Sequence, residues 1–397
     1  MTGVRDPEIP EGYSFDYINA EVILNRLSVE KGRFILPDGM SYEIMVLPPL
    51  TTMRPELLAK LEQLAAKGGK ILGPKPLKSP SLQNYPECDK KVIELADKMW
   101  HSKGKQINHY GNGVIINGYS LEEVFKLFEI EKDLDTKTAP VLWTHRTLPG
   151  MEIYFITNQS DAKINIDPSF RVSGLKPQLW DALTGEIHYL KEYSEAGGRT
   201  VVPLEMEKHR SWFIIFTNAN NKKTGFSQKS NFPELKILSA IKGPYYVNFI
   251  NKETGPAEEQ IFTTLTDWSE SENEKIKYYS GSAIYSTTFN INDIPKNSGL
   301  FLDLGNVAVM AEVKLNGKDA GGVWVAPFRL NVSDLLKKGT NELEIKVVNL
   351  WRNRLIKDNS LPENKRYTWT VVNDIKENEK PHTSGLLGPV TVKYISN

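Results

Sequence analysis

The sequence has one cysteine, Cys88, and no excess of charge of either sign. A lone thiol cannot close an intrachain disulfide, and no His/Cys spacing has the form of a zinc site. With 49 basic and 49 acidic residues, no global field draws the chain to nucleic acid or to an anionic membrane surface. It also lacks the apolar run of roughly 18 residues that a membrane-spanning helix needs. The opening residues, MTGVRDPEIPEGYSF, place acids and prolines where a secretory leader needs a basic end and an apolar stretch, so no signal peptide is expected. These absences leave a soluble globular chain whose binding must come from local sites. At 397 residues, 40% hydrophobic and 25% charged, it can bury real cores, and roughly two to four domains are expected.

Up to about residue 135 the pattern alternates between strand and helix. SYEIMVLPPL (41–50) is a nearly continuous apolar run ended by Pro48 and Pro49, as a parallel strand covered on both faces would be. MRPELLAKLEQLAAKGG then sets Leu57, Leu58, Leu61, Leu64 and Ala65 at helical spacing, with Pro55 near the start and Gly68-Gly69 at the stop. KILGP reads as the next strand, which makes the helix a right-handed crossover. GNGVIINGYSLEEVFKLF repeats the theme, with a strand at Val114 to Ile116 and Ser120 capping a helix three residues before Glu123. The prediction is a flavodoxin-like α/β domain over residues 1–138. Nucleotide binding is not expected there, because Gly111 and Gly113 precede a strand instead of joining a strand to a helix. Cys88 reads as a loop or helix-start residue.

After Pro140 the texture becomes strand after strand: VLWTHR, MEIYFITNQ, AKINIDPSF, PQLWDALTGEIHYL, RTVVPLEM and SWFIIFTN. Short turns separate them, which predicts an antiparallel β-sandwich over 139–218. Residues 219–231, polar and aperiodic, read as a linker. From 232 to 397 the strands SAIYSTTFNI, GLFLDLGNV, MAEVKLNG, NELEIKVVNLW and GPVTVKYI predict a jelly roll, with Asn316-Gly317 as a two-residue hairpin turn and Ser333 capping a Leu-Leu segment. VVNLWRNRLI (347–356) is unusual within it. A buried strand runs into Trp351, Arg352, Asn353 and Arg354 with no helix signal, so the cluster either clamps the fold or reads a ligand.

The stretch FLDLGNVAVMAEVKLNGKDAGGVWVAPFRLNVSDLLKKGTNELEIKVVN resembles the galactose-binding-like jelly roll that accompanies many glycoside hydrolases. FDYINAEVILNRLSVEKGRFILPDGMSYEIMVLPP, KSPSLQNYPECDKKVIELADKMW, WRNRLIKD and SGLLGPV narrow the resemblance to the C-terminal half of α-L-rhamnosidases of the glycoside hydrolase family 106 type. It extends from about Tyr13 to Tyr394.

In that family a large catalytic (β/α) barrel precedes these modules and carries the acid, its carboxylate partner and the active-site calcium. The resemblance therefore carries no catalytic residue to this chain. It implies a C-terminal piece of such an enzyme that starts within the hinge after the barrel. Sugar recognition needs aromatic faces beside planar polar groups, and the candidates are Trp324, Trp351 with Arg352 and Arg354, Trp369, and His382. Each has a structural reading too: Trp324 as packing, and Arg354 as a fork of donors holding the SGLLGP loop through its carbonyls. Asp303 and Glu312 are candidates for a structural calcium and are otherwise solvated acids; no other cofactor is expected. In VLWTHR, strand alternation puts Trp143 and His145 on one face and Arg146 on the other, which suits a domain interface better than one ligand.

Three functions are open to such a chain. The first is an accessory region of a glycoside hydrolase, serving as scaffold and carbohydrate-binding module, with rhamnose-containing glycan as ligand and a barrel on a separate chain as a further partner. The second is a complete, divergent glycosidase with unrecognised carboxylates. The third is a structural or oligomerising unit. Localisation is open between the cytoplasm, from the missing signal, and the periplasm or exterior, from the parent family.

Overall fold

The computed structural model describes residues 7–396 apart from 102–103, 220–229 and 297. The chain divides into two compact units. One comprises the chain up to Thr138 with Pro168–Arg171 and Gly197–Arg199; the other comprises Ala139–Asp167, Val172–Ala196 and the chain from Thr200 onward.

In the first unit, the apolar 41–50 run does not form the single strand expected of it. Ser41–Tyr42 closes a small antiparallel sheet with Arg33–Ile35 and Ser28–Glu30, while Met45–Val46 enters the open sheet. The break falls at Glu43, whose carboxylate leaves the strand to pair with Arg33 and, at 3.4 Å, with Lys70. The open sheet has the order Met45–Val46, Lys70–Leu72, Gly113–Asn117, Gln106–Tyr110. Its first three strands are parallel and its edge strand, absent from the sequence reading, is antiparallel. Helix Pro55–Ala66 is the expected crossover. Its Leu58, Leu61 and Leu64 bury against Val92, Leu95 and Met99 of helix Glu87–Met99, which also holds the buried Cys88. Each such leucine contributes about 1.5–3 kcal/mol. Ser120 and Glu123 form the full capping box of helix Leu121–Leu127.

The glycines of HYGNGVIING have a structural task. Gly111 adopts φ +58°, and a Cβ there would strike the Ala66 backbone, so only glycine lets the hairpin lie against the end of the crossover helix. The unit also gathers two later segments. Ser169–Phe170 pairs with Leu134–Asp135, and Arg199 ties both sides by donating to Ser169 Oγ at 2.9 Å and to the Lys132 carbonyl at 2.6 Å.

In the second unit, residues 141–217 form a five-stranded antiparallel sheet in the order Ile187–Tyr189, Lys176–Trp180, Ser211–Thr217, Met151–Asn158, Val141–Leu148, with Ile164–Ile166 and Leu204–Met206 as a separate pair. Strand Val141–Leu148 alternates as expected, with Trp143 and His145 inward and Arg146 exposed. His145 stacks on the buried Tyr154 at 3.9 Å and lies 2.8 Å from Glu152 Oε2. The expected linker, 219–231, falls largely outside the described residues.

The jelly roll packs a six-stranded sheet, ordered Gln260–Phe262, Tyr245–Phe249, Ser282–Ile291, Gly339–Val348, Met310–Leu315, Lys318–Val323, over a four-stranded one, ordered Leu235–Ala240, Thr391–Ile395, Leu300–Asp303, Arg329–Asn331. Ser282–Ile291 pairs along its whole length with Gly339–Val348, and the alternate residues Ala283, Tyr285, Leu343, Ile345 and Val347 face the core. Asn316 and Gly317 both have positive φ, the geometry of the predicted hairpin. Ser333 departs from expectation: its hydroxyl accepts from Leu300 N at 3.0 Å, joining a neighbouring strand instead of capping its own turn.

Candidate functional site

The core strand Gly339–Val348 ends at Asn349, a buried amide that donates to Tyr279 O at 2.7 Å and accepts from Gly281 N at 2.8 Å. With its backbone fixed there, the chain turns at Trp351 into an α-helix, Arg352–Asn359. The sequence predicts no helix here. A readable sign was present, Arg354 and Asp358 at helical i,i+4 spacing, but in the weaker order with the cation first. Both side chains are buried, and Arg354 Nη2 donates to Asp358 Oδ1 at 2.6 Å.

Asp358 organises the segment that returns after the helix. Its second oxygen accepts from Tyr367 N, Thr368 N and Thr368 Oγ1 at 3.1, 2.8 and 2.6 Å. One buried carboxylate therefore fixes the backbone of that segment just before Trp369. Arg352 fixes a second point: its fork grips Glu379 at 2.7 and 2.8 Å, and its third nitrogen bonds Asp374. The guanidinium and the Lys376 N–H together pull the Glu379 carboxyl down to about 2. His382 Nε2 stands 3.2 Å from Glu379 Oε1.

The clamp on SGLLGP is real, but Arg354 does not supply it. Arg354 is committed to Asp358, with its backbone N–H on Ser280 Oγ. The loop is held by its neighbour Asn353, whose amide donates to His382 O at 2.7 Å and Ser384 Oγ at 3.2 Å and accepts from His382 N at 2.7 Å. Asp267 accepts from Ser384 N at 2.9 Å. Burial alone would raise that carboxyl, but the N–H groups of Ser384 and Ser269 outweigh it and hold it below the ordinary range. Below the loop, Gly385 lies on the Trp268 indole, which donates to Tyr285 Oη at 2.6 Å.

The result is a cleft of about 470 Å³ between the Arg352–Asn359 helix and the 363–375 segment, lined by Leu355, Tyr367 and Trp369 with the amides of Asn359 and Asn373 and the guanidinium of Arg366. Of the residues predicted from sequence, Arg352 and Arg354 shape this region from below, Trp369 lines it and is 83% exposed, and Trp351, 75% exposed, begins the helix. His382 belongs to the clamp. Trp324 is not among the cleft residues; it is 51% exposed in the turn after Lys318–Val323, so the packing reading for it fails. Asn353, Asp358, Glu379 and Asn359 were missed, since their roles depend on a helix the sequence does not announce. Asp303, expected as a solvated acid, is buried. It accepts from Arg329 at 3.0 Å and Lys393 at 2.8 Å, and these cations with the Gly305 N–H hold its carboxyl low against its burial. Glu312 pairs with Lys346 at 3.0 Å. Among the described residues, no three His, Cys, Asp or Glu side chains gather as a metal-ligand set.

Two family descriptions match the chain: alpha-L-rhamnosidase of glycoside hydrolase family 106 over residues 1–195, and the galactose-binding-like domain of glycosyl hydrolase family 2 over residues 263–383. A solved rhamnosidase from Novosphingobium sp. PP1Y superposes on 98% of this chain with a TM-score of 0.86 and 29% identity. Over nearly its whole length the chain is similar to part of a rhamnosidase. A putative beta-glucuronidase from Formosa agariphila is 24% identical across 98% of it. The rhamnosidase-like chain spans about half of that curated relative (54%) and 37% of the solved rhamnosidase. The matched span in the curated relative, 634 residues, exceeds this whole chain, so the relative carries extra segments within it. The cleft falls within the galactose-binding-like region.

Proposed function

We propose that this chain is the accessory region of a glycoside hydrolase, bracing its fold and holding carbohydrate without cleaving it. One observation carries the reading: almost the whole chain superposes on just 37% of a solved rhamnosidase. A galactose-binding-like domain is part of what superposes. The acids near the cleft support a non-catalytic role. Glycoside cleavage needs two available carboxyl groups about 5 to 9.5 Å apart. Asp358 is buried with both oxygens engaged by Arg354, Tyr367 and Thr368, which leaves Glu363 as the one acid lining the cleft that is open to a ligand. Rhamnose-containing glycans are the ligand class to try first, since the family description names rhamnosidase activity. The test is a glycan microarray probed with the intact chain. Retention on rhamnose- or galactose-terminated glycans supports the reading, and a blank array overturns its binding part.

A further inference from the structure

We infer that the cleft beside the Arg352–Asn359 helix is the sugar site, and that it takes an uncharged pyranoside stacked on Trp369. This rests on the carbohydrate-binding reading above and gives it a place.

Trp369 is 83% exposed, yet the backbone just before it is pinned by two N–H bonds to the buried Asp358. A wide aromatic face held out on a fixed backbone loses little freedom when a ligand lands on it. A pyranose offers the matching partner, an apolar C–H face. Planar polar groups for its hydroxyls stand on the same walls. The Asn373 amide donates to Asn359 Oδ1 at 2.8 Å, which orients the Asn359 amide and leaves its NH₂ without a partner among the described residues. Arg366 spends its Nε on the Leu361 carbonyl at 2.8 Å, leaving its two terminal nitrogens as donors.

Charge narrows the ligand class. Glu363 lies on the same cleft as Arg366, and the buried Arg354–Asp358 pair is self-neutralised. The charged groups lining the cleft, Asp358 and Glu363 against Arg366, give its walls no net positive charge to favour a uronic acid, so neutral sugars are preferred.

The experiment is an NMR titration of the ¹⁵N-labelled intact chain with methyl α-L-rhamnopyranoside, methyl β-D-galactopyranoside and methyl β-D-glucuronide. The tryptophan indole N–H signals are assigned from Trp369→Phe and Trp324→Phe. The expected result is a saturable shift of the Trp369 indole with one or both neutral glycosides, at least about tenfold weaker with the glucuronide and in Trp369→Ala. Asn359→Ala should weaken the same titration while leaving the rest of the spectrum in place, which separates lost contacts from lost fold. Saturable shifts confined to the Trp324 indole, or array binding that survives Trp369→Ala, would overturn the site but leave the carbohydrate-binding reading standing. Tighter binding of the glucuronide would overturn the neutral-sugar assignment. A blank array together with no shift from any glycoside would overturn both readings.

Discussion

The side chain of Asn353 closes a ring on the backbone of His382, donating to its carbonyl at 2.7 Å and accepting from its N–H at 2.7 Å. Asn353 is 2% exposed, so Asn353→Ala would leave both backbone groups short of partners. The expected cost is about 2 kcal/mol by urea denaturation. His382→Ala keeps both backbone bonds and should cost under about 0.5 kcal/mol. Equal losses in the two variants would refute the clamp.

Arg354 and Asp358 form a buried pair at 2.6 Å. Removing one partner strands the other, and Arg354→Met should cost about 3 kcal/mol. Arg354→Lys keeps the charge and should cost visibly less, because a single nitrogen of the fork, Nη2, reaches Asp358. If lysine proves as damaging as methionine, the fork matters in a way this geometry does not account for.

Gly385 has φ +101°, and a Cβ there would sit 2.6 Å from the Trp268 indole nitrogen. Both the backbone conformation and the space exclude a side chain. Gly385→Ala should lower stability by about 2 kcal/mol or more, read as the shift in denaturant midpoint at unchanged slope.

The Glu379 carboxyl is lowered from 4.5 to about 2, first by Arg352 and then by the Lys376 N–H. A depressed carboxyl contributes stability that is fully present above its unfolded value and disappears as pH falls through its folded one. The tether from Arg352 to the 374–382 segment should therefore hold at neutral pH, weaken below 4.5 and be gone near 2. In Arg352→Ala, the Glu379 carboxyl ¹³C signal should titrate close to the ordinary range. An unchanged low midpoint in that variant would remove Arg352 as the cause.

Much of the fold could be read from the sequence because its signals are local. Ser120 with Glu123 marks a helix start, Asn316-Gly317 a hairpin, and alternation in SAIYSTTFNI a half-buried strand; all three appear as read. Where the reading failed, partners distant in sequence decide. The 352–359 helix begins where Tyr279 and Gly281 fix Asn349, some seventy residues away in sequence. Glu43 breaks an apolar run because Arg33 and Lys70 await its carboxylate. The site obeyed the same rule. Trp369 was visible as an aromatic, but Asp358, which positions it, and Asn353, which performs the task assigned to Arg354, became visible once the helix had placed them.

If the chain holds carbohydrate without cleaving it, as proposed, the purified chain should release no nitrophenolate from 4-nitrophenyl α-L-rhamnopyranoside. The expected rate equals that of buffer. Turnover that disappears when one or two carboxylates are substituted would contradict it.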